Sequence, residues 1–145
     1  MDNEIIKKAE AIINKNTVNG GTVHDHHCVL TLIDSFGYPT SSVITPSKSD
    51  GINWITFVAG FGSNKAQRIA KCGRASVCFS SPAYSVGLVG DIEIITDPEV
   101  KKEMWYKGCE QHFSGYDDPN YCVLKFTTIR YNLFADWQEA QGGLK

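Results

Sequence analysis

Between Cys28 and Asp136 the chain is a succession of short apolar stretches with strand character, most of them joined by turns too short to hold a helix. Strands linked this way pair antiparallel with their neighbours. The stretches are Cys28–Ile33, Thr40–Thr45, Ile52–Val58, Ala75–Phe79, Tyr84–Thr96, and a last ribbon read as Tyr121–Phe126 continuing bent through Arg130–Asp136. Turn signals separate them: Asp34-Ser35-Phe36-Gly37, Lys48-Ser49-Asp50-Gly51 as a hairpin loop, and Pro82. One sheet with so many long strands curls and closes. The expected fold class is mainly β, a six-stranded antiparallel barrel with peripheral helices.

Three helices decorate this pattern. Residues 3–16 place Ile5, Ala9, Ile12 and Ile13 at helical spacing between charged residues, with Asn19-Gly20-Gly21 as the stop. A second helix runs from Ser63 to about Cys72, with Gly73 as its stop. A third starts at Asp97-Pro98-Glu99, a cap, a proline at the first position and an acid in the first turn, and is expected to reach His112 along the stripe Val100, Met104, Trp105 and Cys109. In the long strand, Val86, Leu88, Ile92 and Ile94 share a face, and Gly90 marks a bulge or a close backbone approach. No linker or repeat divides the 145 residues, so one domain, 1–145, is expected.

The segment Phe57-Val58-Ala59-Gly60-Phe61-Gly62-Ser63-Asn64-Lys65 carries the chemistry. It reads as a strand end, a glycine turn and a helix start capped by Ser63. Gly60 and Gly62 are expected to let the backbone fold tightly. A helix N-terminus offers free N–H groups to an anion. Lys65 places a cation where the helix dipole disfavours one, which points to an anion held there. The order of residues is not that of a Walker loop. A capped turn with Lys65 in solvent is the alternative account.

The 16 acidic and 14 basic residues give a net charge of −2, and no basic run marks a nucleic-acid surface. Met1-Asp2-Asn3-Glu4 is unlike a signal peptide, and no apolar run is long enough to cross a bilayer. A cytoplasmic protein without nucleic-acid or membrane partners is expected. The five cysteines are odd in number and form no Cys-x-x-Cys pair, so no disulfide framework is expected. His24, His26, His27 and Cys28 have no second ligand cluster near in sequence, and no metal site is assigned. Asp117-Asp118 lacks the spacing of a calcium loop and reads as a turn before Pro119. Trp54, Trp105 and Trp137 are expected in the core or an interface.

Three segments together resemble the pyridoxamine 5′-phosphate oxidase-like flavoproteins with the FMN-binding split barrel, in particular the short general stress protein branch. They are Gly60-Phe61-Gly62-Ser63-Asn64-Lys65 with Ile69, the run Ser85 to Asp97, and Gly115-Tyr116-Asp117-Asp118-Pro119-Asn120-Tyr121 with the strand after it. The likeness spans about residues 25–134. It implies FMN as cofactor and a homodimer with flavin sites at the interface. It also implies FMN-dependent oxidoreductase chemistry with a reduced nicotinamide as a possible donor, or alternatively a non-catalytic flavin sensor or carrier. The implied cofactor-binding residues are Ser41, Ser42 and Val43 along the flavin edge, Ser63, Asn64 and Lys65 at the phosphate, and Ser85 at the flavin. No catalytic residue is assigned. Ser42 stands where the family often has arginine, and Ala59 where it usually has threonine. The Arg-x-His segment that holds a pyridoxal substrate in the full-length oxidases has no counterpart in Trp137–Lys145, so that reaction is not expected.

Overall fold

The computed structural model describes residues 2–19 and 26–144. Its elements in chain order are α1 (Asp2–Lys15), β1 (Cys28–Ile33), β2 (Pro39–Ile44), β3 (Lys48–Asp50), β4 (Trp54–Gly60), α2 (Asn64–Lys71), β5 (Arg74–Ser81), β6 (Tyr84–Ile95), α3 (Pro98–Met104), a 3-10 helix (Lys107–Gln111), β7 (Tyr121–Ala135) and β8 (Gln138–Gly143). The mainly β, antiparallel split barrel is present. Its eight strands include the six expected ones and two more, β3 and β8. Gly20, Gly21 and His24, to which the first helix stop and part of the histidine cluster were assigned, lie outside the described residues.

Every pairing is antiparallel, in the order β2-β1-β5-β6-β7-β4-β3, with β8 also on β7. The two ends of this path, β2 and β3, are joined by only Thr45-Pro46-Ser47. Among the described residues no ladder joins β2 to β3, so the curl is closed there by the chain itself. β7 is one 15-residue strand, as the bent ribbon anticipated. Its first half pairs β4, its second half β8, and β6 runs along its other edge.

Alternation turns one side of each strand inward. Leu30, Phe57, Val77, Leu88, Leu124 and Phe126 are fully buried, and Ile5, Ala9 and Ile13 of α1 join the same core from one end. Each such side chain contributes roughly 1.5–3 kcal/mol. Val86, Leu88 and Ile92 are buried on one face of β6 with Ile94 half-buried, as the pattern anticipated. The register shift lies at Val89/Gly90, opposite Arg130 and Thr128, so Ile129 is the extra residue on β7. Beyond it β7 switches its inward set from even to odd positions, from Phe126 and Thr128 to Leu133 and Ala135.

Three expectations are corrected. Lys48–Asp50 is a short strand on β4, and the turn falls at residues 51–53, with Gly51 at φ 54°. Gly73 does not end α2 in a left-handed conformation. Cys72 leaves the helix extended, and a Cβ on Gly73 would stand 2.9 Å from the Ile92 carbonyl oxygen. The third helix does not reach His112: Trp105 turns extended at φ −66°, ψ 136°, its ring edge-on to Tyr121 at 5.2 Å. Tertiary packing there overrides the helical stripe. Gly60 and Gly62 frame the tight turn that was expected, with Ser63 N–H closing on the Gly60 carbonyl, and do so without positive φ; Gly60 leaves room for Asn120, whose Nδ2 would lie 3.3 Å from an added Cβ.

Candidate functional site

The turn before α2 is built from backbone. Ser63 N–H donates to the Gly60 carbonyl at 3.0 Å, and Phe61 N–H donates to the Asn120 carbonyl at 2.6 Å. Ser63 caps the helix as expected, its Oγ accepting from Ala66 N–H at 3.2 Å. The N–H groups of Asn64 and Lys65 fall in the first turn, where no carbonyl within the helix can reach them. Asn64 is exposed and Lys65 half-buried. The helix holds Lys65, Arg68 and Lys71 and no acid. A Cβ on Gly62 would meet nothing within 4 Å, so the space beside the turn is open.

The other predicted residues divide between two faces. Ser41 and Val43 point to the outer face of the sheet, where Ser41 shares a 2.8 Å hydrogen bond with Thr31. Ser85 lies on that same outer face, opposite Ser80 and Phe134. Ser42 points the other way, in line with half-buried Thr40 and Ile44. The outer face carries exposed Val43 and Val89 and a groove of about 650 Å3 over Ser76, Cys78, Gly87 and Asn132.

A second cleft, of about 390 Å3, joins the two chain segments the sequence singled out. Ile44 and Thr45, directly after Val43, form one side; Val58, Ala59 and Gly60, directly before the turn, form another. Tyr106, Cys109, His112, Phe113 and Asn120 complete it. None of the seven predicted cofactor residues lines the cleft; β2 and the α2 turn flank it. The wall from Tyr106 to Phe113 was not legible in the sequence, because its residues reach the cleft only after the helix breaks at Trp105. The aromatic content of Trp105–Phe113 was the one available signal.

That wall is held by a compact set of contacts. Asp97 caps α3, accepting from Glu99 N–H at 2.9 Å. Lys101 is buried, its Nζ donating to the Asp118 carbonyl at 3.1 Å and lying 5.3 Å from the Tyr121 ring centre. Tyr121 donates its hydroxyl to the Lys101 carbonyl at 2.7 Å. The Asp118 carboxylate accepts from Ser114 N–H at 3.0 Å and Asn120 N–H at 2.9 Å, which is the turn expected before Pro119. These two backbone donors hold the Asp118 carboxyl below the usual range. Asn120 in turn accepts from Phe61, so this loop is fastened to the α2 turn.

The cleft is electrically quiet. Burial pushes the Tyr106 hydroxyl and the Cys109 thiol up, with Cys109 adding to the rise at Tyr106. Among the described residues no Lys, Arg, Asp or Glu lines it. Among the described residues no three His, Cys, Asp or Glu side chains gather as metal ligands. No helix of the described residues is long and apolar enough to cross a membrane.

The site thus sets a cleft without acidic or strongly basic lining among the described residues beside a cationic helix start. The residues present fit FMN in this sense, although Ala59 lines the cleft without the hydroxyl a threonine would give.

Comparison with known proteins agrees with the fold. A protein from Clostridium acetobutylicum related to general stress protein 26 superposes with a TM-score of 0.82 at 21% identity, over 99% of this chain and 97% of the other. General stress protein 26 from Bacillus anthracis gives 0.70 at 16% identity, over 92% and 98%. A pyridoxamine 5′-phosphate oxidase-related, FMN-binding protein from Nostoc punctiforme gives 0.66 at 14% identity, over 97% and 95%. No curated protein sequence matches. The family profile for pyridoxamine 5′-phosphate oxidase matches residues 21–134. The chain therefore belongs to the pyridoxamine 5′-phosphate oxidase family.

Proposed function

We propose that this protein is an FMN-dependent oxidoreductase that works as a homodimer. The observation that carries the reading is the juxtaposition of Lys65 and the open first turn of α2 with the uncharged cleft ending at Gly60. The phosphate would be held by the Asn64 and Lys65 N–H groups and the Lys65 ammonium, with the Ser63 hydroxyl nearby. The ring would lie toward Ile44, Thr45 and Ala59, with Ser41, Ser42 and Val43 of β2 beside it. When bound, FMN supplies the electron-transfer chemistry, and a reduced nicotinamide is the proposed donor. The chain's own contribution is orientation and exclusion of water by Tyr106 and Phe113.

The apolar outer face, with Val43 68% and Val89 40% exposed, is the proposed dimer surface, and Ser85 would reach the flavin from there. Light scattering that gives a monomer with flavin bound would refute it. The five free thiols suit a reducing compartment, and the cytoplasm is the proposed location. A flavin sensor or carrier is the second reading. Burial pushes the Tyr106 hydroxyl and the Cys109 thiol up, which disfavours their anionic forms and so supports that second reading. Turnover with reduced nicotinamide and a panel of acceptors separates the two.

The direct test titrates FMN and riboflavin against wild type and Lys65→Ala. A charge-assisted contact contributes roughly 1.5–3 kcal/mol. The substitution is therefore expected to weaken FMN about ten- to a hundredfold and to leave riboflavin nearly unchanged. Equal weakening of both places the phosphate elsewhere.

A further inference from the structure

A third cleft, of about 310 Å3, lies between the β1–β2 turn and the exposed side of α2. That volume falls at the small end of ligand sites, roughly 300–1,000 Å3. Its walls combine three chemistries. Phe36, at the turn's tip, is 84% exposed and offers a bare aromatic face. Arg68 and Lys71 stand on α2, a helix with no acid, and neither makes a salt bridge among the described residues. Asp34 also lines the cleft. Its Oδ1 accepts from Phe36 N–H at 2.9 Å and Tyr38 N–H at 3.0 Å, and its Oδ2 accepts from the Thr40 hydroxyl at 3.0 Å. The carboxylate is thereby fixed in place, and Oδ2 keeps acceptor capacity for another hydroxyl.

We propose that this cleft binds a ribonucleotide: the base against Phe36, one ribose hydroxyl on Asp34, and the phosphates on Arg68 and Lys71. Each part matches one wall. A planar base stacks on an exposed aromatic ring. A ribose hydroxyl donates to the remaining acceptor site of a carboxylate that is already oriented. A guanidinium and an ammonium pair with phosphate oxygens. A bare anion would use only the two cations and would be repelled by Asp34; a ribonucleotide converts Asp34 into a contact. The site does not rest on the flavin reading and shares only Asn64 with the residues assigned to the FMN phosphate.

Calorimetric titration of the purified protein with ADP tests this, with 2′,3′-dideoxy-ADP and inorganic pyrophosphate as comparison probes. ADP is expected to bind saturably, the dideoxy compound at least tenfold more weakly, and pyrophosphate more weakly still. R68Q/K71Q should lose at least tenfold toward ADP, as one lost charge-assisted contact implies. F36A should weaken ADP and leave pyrophosphate alone. These residues lie at the surface, and unchanged melting temperatures show the variants folded. Absence of saturable ADP binding overturns the proposal. So does pyrophosphate binding as tightly as ADP, or affinity indifferent to the variants. Displacement of ADP by FMN would assign the cleft to the flavin and overturn it as a separate site. FMN titration of the same variants, expected to match wild type, keeps failure here distinct from failure of the flavin reading.

Discussion

Replacing Gly90 by alanine places a methyl group against backbone that cannot rotate away. The added Cβ would overlap the Thr127 carbonyl oxygen, stand 2.9 Å from the Thr127 carbonyl carbon and lie 3.1 Å from the Thr128 Cα. All three atoms belong to β7 at the bulge, so relief requires β6 and β7 to part where the register shifts. Overpacking of this sort costs about 1–3 kcal/mol. Alanine also restricts the unfolded chain, which offsets roughly 0.4–1 kcal/mol. The net loss is about 2 kcal/mol, because the obstruction is main chain rather than a pliable side chain. For a domain of this length that lowers the melting temperature by roughly 4–8 °C. Urea unfolding followed by tryptophan fluorescence gives the free energy. Gly62→Ala is the control: its Cβ meets nothing within 4 Å, and stability should hold or rise slightly. If G90A is as stable as G62A, the close approach at the bulge does not dictate glycine and the reasoning fails.

Asp97→Ala should cost about 1 kcal/mol through loss of the α3 cap, with FMN affinity unchanged; a fall in affinity at constant melting temperature would mark Asp97 as more than structural. Asp118 and Asp34 both titrate below the ordinary carboxyl value in the folded chain, chiefly because backbone N–H groups bond their ionised forms. Their stabilisation is therefore complete above about pH 4, the unfolded value, and fades as pH falls toward the lower folded values. Asp118→Asn should flatten that acid limb in equilibrium unfolding, and an unchanged limb would contradict the assignment. Burial, then the proximity of Cys78, pushes the Cys28 thiol far up, so alkylation of the native protein followed by mass spectrometry should modify half-buried Cys72 or Cys78 before Cys28.

What the sequence disclosed follows the strength of the local signal. β1 has the expected bounds because Cys28–Ile33 is a β-branched and leucine run ending in an Asp-x-x-Gly turn. Ser63 and Asp97 cap their helices as their residue types demand. β8 was not foreseen for a matching reason. Its turn, Asp136-Trp137, takes φ 50° and 64°, a conformation ordinarily marked by Asn-Gly. Its sequence Gln-Glu-Ala-Gln-Gly-Gly buries only Ala140. β3 is three polar residues whose pairing depends on β4 being in place. The site divides along the same line. The phosphate turn is contiguous and visible, whereas Tyr106, His112 and Phe113 arrive through Trp105 and Phe113 packing on Tyr121, contacts no local pattern encodes.

The central position of β7 has a consequence for how the molecule comes into being. A ribosome makes β1 to β6 before it makes residue 121, yet β4 and β6 meet only across β7. Until that strand emerges, β4 shows a bare edge where Trp54–Gly60 will pair, and the β1-β2-β5-β6 half has nothing to roll against. Folding must therefore wait for nearly the whole polypeptide and then close long loops at once, which is slow and leaves strand edges open meanwhile. Chains arrested anywhere before residue 121 should be protease-sensitive and dependent on chaperones, and protection should arrive as a single late event once β7 has cleared the exit tunnel.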